Sequence, residues 1–199
     1  MRIRRLAAAL GVAALSLIAG CLTLPVAAPP SVPWDERRPL LQARPHFELG
    51  GRVAVASGDQ GFNANLHWVQ SDSRSQLTLQ GPLGVGGVRI SASGDDFIIV
   101  NPDGASLDKD AARAELKERL GFDPPIARLR YWIQGVPDPA VPAHEQLDAA
   151  QQRLAGLEQD GWQINYTSYT AVRGEWLPSR VSMQREGVRV RLLVDEWQW

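Results

Sequence analysis

From Phe47 onward, apolar and polar residues alternate with a period of two, and between Asp108 and Gly135 the spacing changes to that of a helix. The segments FELGGRVAVAS, FNANLHWVQS, RSQLTLQ, GVRISAS and DFIIVN predict five successive strands. The run Gly58-Asp59-Gln60-Gly61 forms a turn between the first two, and Gly94-Asp95 one between the last two. Strands at this spacing, with no helix between them, pair antiparallel. In the middle of the chain Asp108 is placed to cap DAARAELKERLG and Gly121 to end it. Pro124-Pro125 then open a shorter helix, IARLRYWIQG, which stops at Gly135 and gathers Ile126, Leu129, Trp132 and Ile133 on one face. After a Pro/Ala-rich loop from Val136 to Ala143 the alternation returns. RLAGLEQ and WQINYTSY flank the turn Asp160-Gly161, and LPSRVSMQ and VRVRLLVDEW flank Glu186-Gly187. Near the start of this region, WDERRPLLQA (Trp34 to Ala43) predicts a short helix that Pro39 interrupts. The fold class is therefore α+β: a curved antiparallel sheet with helices across one opening.

The first 33 residues follow neither pattern. Arg2, Arg4 and Arg5 make a positive start, and Leu6 to Leu17 is apolar but too short to span a bilayer comfortably as a permanent helix. The stretch ends Ile18-Ala19-Gly20-Cys21, which resembles the lipobox of lipoprotein signal peptides. That resemblance implies cleavage before Cys21 and lipidation of its thiol, by way of general secretion. The plainer reading is an ordinary secretory signal that happens to hold a cysteine. In the lipoproteins this segment resembles, Leu22, in place of an aspartate, directs sorting to the outer membrane. From Leu22 to Pro33, LTLPVAAPPSVP is an extended, semi-rigid spacer. Residues 1–20 are thus expected to be a signal peptide, 21–33 a lipidated linker and 34–199 one folded domain.

Charge and chemistry narrow the function. The 21 basic residues include the three leader arginines, so 18 remain against 22 acidic ones, a net charge of about −4 after cleavage. No basic stripe marks a nucleic-acid partner. With a single cysteine there is no intramolecular disulfide. His46, His67 and His144 stand apart, none beside a nucleophile, and His67 between Leu66 and Trp68 reads as a strand-face residue. GPLGVGG, Gly81 to Gly87, lacks the Lys-Ser/Thr pair and the following helix of a phosphate loop. Metal-ligand spacing is absent too. These features indicate a binding protein, neither an enzyme nor a user of cofactor or metal.

A curved sheet needs its inner face filled. Trp68, Leu79, Ile90, Trp132, Trp162 and Tyr166 have periods that point inward, either to pack a solid core or to line a cavity for acyl chains. Outside that set, Gly81-Pro82-Leu83-Gly84 makes a tight bend with a leucine at its tip.

LGGRVAV (49–55), LHWVQ (66–70), GPLG (81–84), RYWIQGVP (130–137), DGWQINY (160–166), WLP (176–178) and VDEW (194–197) occur in an order that resembles the outer-membrane lipoprotein receptor family LolB. The resemblance implies an incomplete antiparallel β-barrel with a helical lid over an apolar cavity. It also implies a lipid-anchored protein, monomeric and facing the periplasm. Such a protein accepts lipoproteins from the soluble carrier LolA and incorporates them into the inner leaflet of the outer membrane without nucleotide. By the same match Leu83, between Pro82 and Gly84, corresponds to the leucine of the protruding loop that the family needs for membrane insertion. A lipocalin-like carrier of small apolar ligands is the alternative.

Overall fold

The computed structural model describes residues 32–81, 87–94, 96–150 and 152–198. The leader, Cys21, the linker as far as residue 31, and the tip residues Pro82, Leu83 and Gly84 lie outside them. Within the described residues the chain builds α1 (Trp34–Gln42) and strands β1 (His46–Ser57), β2 (Gln60–Ser71), β3 (Arg74–Gln80), β4 (Gly87–Ser93), β5 (Asp96–Val100) and β6 (Ser106–Asp108). Helices α2 (Lys109–Leu120) and α3 (Ile126–Trp132) follow, then β7 (Ala143–Leu147), β8 (Leu154–Gln159), β9 (Trp162–Val172), β10 (Glu175–Arg185) and β11 (Val188–Gln198).

All these strands form one antiparallel sheet in the order β6-β5-β4-β3-β2-β1-β11-β10-β9-β8-β7. Each half is a meander of hairpins, as the alternation predicts. The Asp160-Gly161 and Glu186-Gly187 turns both have positive φ at the two central residues, the conformation whose twist matches a tight hairpin. The halves join through β1 and β11, the first and last strands, along Glu48↔Gln198 to Ser57↔Val188. The sheet is not closed, and β6 and β7 are its edges. At the seam the register shifts between Gly50 and Gly51. A Cβ on Gly51 would sit 2.2 Å from the Leu193 carbonyl oxygen, so the close approach of the two strands there admits only glycine.

Three local expectations need correction. Helix α1 runs through Pro39. The ring removes one donor to the Asp35 carbonyl, but both residues are exposed, so water can satisfy that oxygen. Asp108 precedes α2 in an extended conformation, yet its side chain makes no capping hydrogen bond; it is paired with Ile98 as the last residue of β6. The short edge strands β6 and β7 add to the predicted set. Neither carries the alternation that marks the longer strands, because an edge strand three to five residues long has little inward face to fill.

Alternate side chains point inward, among them Trp162, Ile164 and Tyr166 on β9 and Val190, Leu192 and Val194 on β11. Helix α1 covers one end of this interior. Its Arg37 reaches Glu175 at the start of β10, and its Trp34 Nε1 donates to Glu145 on β7 at 2.7 Å. Helices α2 and α3 cover the sheet toward the other end, with Ala112 and Leu116 of α2 fully buried.

Candidate functional site: an apolar cavity under a helical lid

Between the sheet and the helices lies a space of about 100 Å3 whose lining side chains are all apolar. The sheet supplies Val53 and Val55 from β1, Phe62, Leu66 and Trp68 from β2, and Leu77, Leu79 and Ile90 from β3 and β4. Trp162, Met183, Val190 and Leu192 complete that wall from the other half of the sheet. The cover is formed by Leu120 at the end of α2, by Phe122, Pro124 and Pro125 in the connection, by Ile126 and Leu129 of α3, and by Ile133 just after it. The body of α2 packs on β5 and β6 beside the space, so the part that closes it is the segment 120–133. Gly121 makes this path possible. Its φ of +76° ends α2, and a Cβ there would meet the Ser57 hydroxyl at 2.6 Å.

Four of the six inward candidates, Trp68, Leu79, Ile90 and Trp162, stand on the cavity wall. Trp162 packs on Phe122 of the cover, ring centroids 5.7 Å apart, and its buried Nε1 finds no acceptor among the described residues. Trp132 and Tyr166 do not reach the cavity, because their polar tips tie them elsewhere. Trp132 Nε1 donates to Gln159 Oε1 at 2.7 Å, and the Tyr166 hydroxyl donates to the Trp132 carbonyl at 2.9 Å. Gln159 is 2% exposed, and its oxygen also accepts from the Asp138 N–H. Its amide donates to the Asp138 and Val141 carbonyls, so one side chain satisfies its whole hydrogen-bonding capacity while pinning the 136–142 loop to β8. These residues anchor the end of α3. Nothing in the alternation distinguishes an inward tryptophan on a wall from one in a polar network. The remaining wall residues follow the same two-residue period, whereas Leu120 and Phe122 join the cavity only through the bend after α2.

Charged groups hold the cover at its rim. Arg128 of α3 meets Asp160, in the β8–β9 turn, at 2.7 Å and approaches Asp138 at 3.9 Å, and Arg113 of α2 pairs with Asp123. Each of these half-exposed pairs contributes about 0–1 kcal/mol, so the cover is held mainly by its apolar contacts.

The buried tyrosines give the domain an alkaline limit. Burial, and then the neighbouring Tyr169, raises the Tyr166 pKa well above its ordinary value of 10.0, and burial raises Tyr169 as well. The folded state therefore keeps protons that the unfolded chain gives up. This stability is complete below a pH of about 10 and is lost as pH rises beyond it. Melting temperatures measured from about pH 8 to pH 12 fall more steeply above that point in the wild type than in Tyr166→Phe. Parallel profiles would refute this account.

The comparisons with known proteins bear on this arrangement. The family profile described as "Outer membrane lipoprotein LolB" matches residues 45–197. The chain belongs to the LolB family. It is 33% identical over 186 residues to the outer-membrane lipoprotein LolB of Azoarcus sp. (strain BH72), covering 94% of each chain. It is 32% identical to that of Nitrosococcus oceani, covering 92% of this chain and 93% of the relative. Among solved structures it resembles the LolA superfamily protein NE2245 from Nitrosomonas europaea, with a TM-score of 0.54 at 12% identity over 84% of this chain and 94% of that one. A DUF1329 family protein from Desulfovibrio piger gives a TM-score of 0.52 at 8% identity over 82% and 89%. At such identities the two structures speak for the fold, an unclosed antiparallel sheet around a helical cover. The position of this LolB-family chain among its relatives rests on the sequence matches.

Proposed function

We propose that the protein is an outer-membrane lipoprotein receptor, anchored through lipid on Cys21, that takes lipoproteins from a LolA-type carrier. It shelters their acyl chains beneath the lid and passes them to the inner leaflet of the outer membrane. The observation that carries this reading is the all-apolar space under a separate helical cover, in a chain of the LolB family. Each methylene left in water costs about 0.8 kcal/mol, so acyl chains crossing the periplasm need such shelter. Ligand pockets usually measure about 300–1,000 Å3, several times the space present here. In this reading segment 120–133 lifts to admit a chain. Its weak rim pairs and apolar underside suit it to exchange its own contacts for those of a guest. The receptor acts as a monomer in this scheme, and release is downhill because the bilayer buries the chains more completely than the cavity does.

Leu83, between Pro82 and Gly84 in the sequence, is assigned to membrane entry by its match to the family motif. The test loads the carrier with a radiolabelled lipoprotein, adds the receptor and outer-membrane vesicles, and follows the label. The receptor takes the label and delivers it. Leu83→Glu takes the label but delivers at least tenfold more slowly, since a carboxylate cannot follow the leucine into the apolar region. Delivery at the wild-type rate by a folded Leu83→Glu protein would remove the role of the loop. Binding of apolar dyes without any uptake from the carrier would favour a lipocalin-like carrier instead.

A further inference from the structure

The outward face of the sheet carries a depression separate from the apolar interior. Along β1 the outward position that follows Arg52 is small (Ala54), and a groove of about 670 Å3 open to solvent lies across it. Its rim bears Arg52, Arg180 and Arg191, flanked by Asn63 and Asn65 on β2 and by Ser182 on β10. The pairing register places these groups on one face. Arg52 stands opposite Leu193 and Leu193 opposite Arg180; one step along, Ala54 faces Arg191, and at the next Ala56 faces Arg189. With strands about 4.8 Å apart and same-face residues about 6.8 Å apart, the four guanidinium groups stand over a patch of roughly 10 by 14 Å. Asp195 binds Arg52 through two hydrogen bonds, of 2.9 and 3.2 Å. Among the described residues no carboxylate lies within ion-pair distance of the exposed Arg180 or Arg191. A protein that is acidic after loss of its leader thus concentrates unneutralised positive charge on one face.

The position of that face matters as much as its charge. Gln80 pairs with Gly87 at the end of β3 and β4, and it pairs with Asn65, which pairs with Arg52. Arg52 and Arg180 are therefore level with the point where the chain leaves β3. Arg191 and Arg189 lie further toward the same end of the sheet, the end of Val55 and Phe62 in the cavity wall.

We propose that this basic groove docks the phosphate-bearing headgroups of anionic phospholipids and so orients the domain on the leaflet that receives the acyl chains. The proposal rests on the receptor reading for the identity of that leaflet. Guanidinium groups bind phosphate oxygens in pairs, and the amide and hydroxyl side chains flanking them supply further hydrogen bonds. Docking here holds the cavity end against the bilayer, which shortens the path a released chain takes through water.

The mature chain carrying Cys21→Ala lacks the acyl anchor and keeps every described residue, so its partition reports the docking surface alone. Flotation compares vesicles of phosphatidylethanolamine with roughly a third phosphatidylglycerol against vesicles of phosphatidylcholine. The parent binds the anionic vesicles, less so as salt rises, and binds the neutral ones weakly. At the usual contribution of a basic residue near an anionic surface, R180Q/R191Q lowers the partition roughly thirtyfold. It leaves the melting temperature unchanged, and R180K/R191K restores most of the binding. Binding by R180Q/R191Q equal to the parent's, or binding by the parent that ignores salt, would overturn the proposal. So would unchanged vesicle affinity combined with poor uptake of lipoprotein from the carrier, which would make the groove a protein-docking surface. If the receptor reading fails instead, the parent moves no lipoprotein while its arginine-dependent vesicle binding persists.

Discussion

Glu175→Ala lowers the unfolding free energy by about 3 kcal/mol, a loss comparable to that from truncating a buried core side chain. Arg37 of α1 is 3% exposed, and its NH2 group donates to Glu175 Oε2 at 3.0 Å. Its other terminal nitrogen binds the Gln152 carbonyl oxygen, and its Nε has no partner. Removing the carboxylate leaves a guanidinium buried with one acceptor. The loss falls at the lower end of the usual range for a broken buried pair because Glu175 is itself 28% exposed and water can partly replace it. Helix α1, whose buried face consists of Trp34, Arg37 and Leu41, is the part that yields first. Replacing both partners by apolar residues, Arg37→Met with Glu175→Leu, recovers most of the loss, since no charge is left to solvate. Urea unfolding of the three proteins decides the matter. A Glu175→Ala loss below about 1 kcal/mol would show that Arg37 is not held as the structure places it.

The second large effect is on binding. Val55→Trp puts an indole into a space of about 100 Å3 beside Phe62, its partner across β1 and β2. A guest chain shut out by two or three methylenes loses about 2 kcal/mol, or roughly thirtyfold in affinity. Overpacking costs the fold about 1–3 kcal/mol, which a domain of this size can bear. Gln76→Trp, beside the wall residue Leu77 on β3 but exposed on the outward face and away from the basic groove, supplies the control: it places an indole on the other side of the sheet and leaves apolar-dye binding and lipoprotein uptake at wild-type level. Equal behaviour of the two variants would mean that acyl chains do not enter here.

How far the residues alone lead can be seen element by element. The alternation of GVRISAS or RSQLTLQ is strong because each strand has one wet and one dry face, and both strands lie where they are predicted. The two covering helices are equally plain from Gly121, Pro124-Pro125 and Gly135. Helix α1 survives Pro39, against expectation, because the oxygen that loses its donor faces water. The cavity was only half legible. Trp68 and Trp162 stand on its wall and Trp132 behind it, yet all three share the same inward period. The distinction depends on Gln159, a polar residue 27 positions from Trp132 in the chain that accepts its indole N–H.

The order of residues determined the strands, the turns, the helices and the family, because each depends on contacts between near neighbours or on motifs read in sequence. Only the folded chain decided that the first strand closes on the last, which residues enclose empty space, and where Arg52, Arg180 and Arg191 gather. Those features depend on contacts between elements distant in the chain, and the free energy that joins them depends on which surfaces meet, a matter no local pattern records.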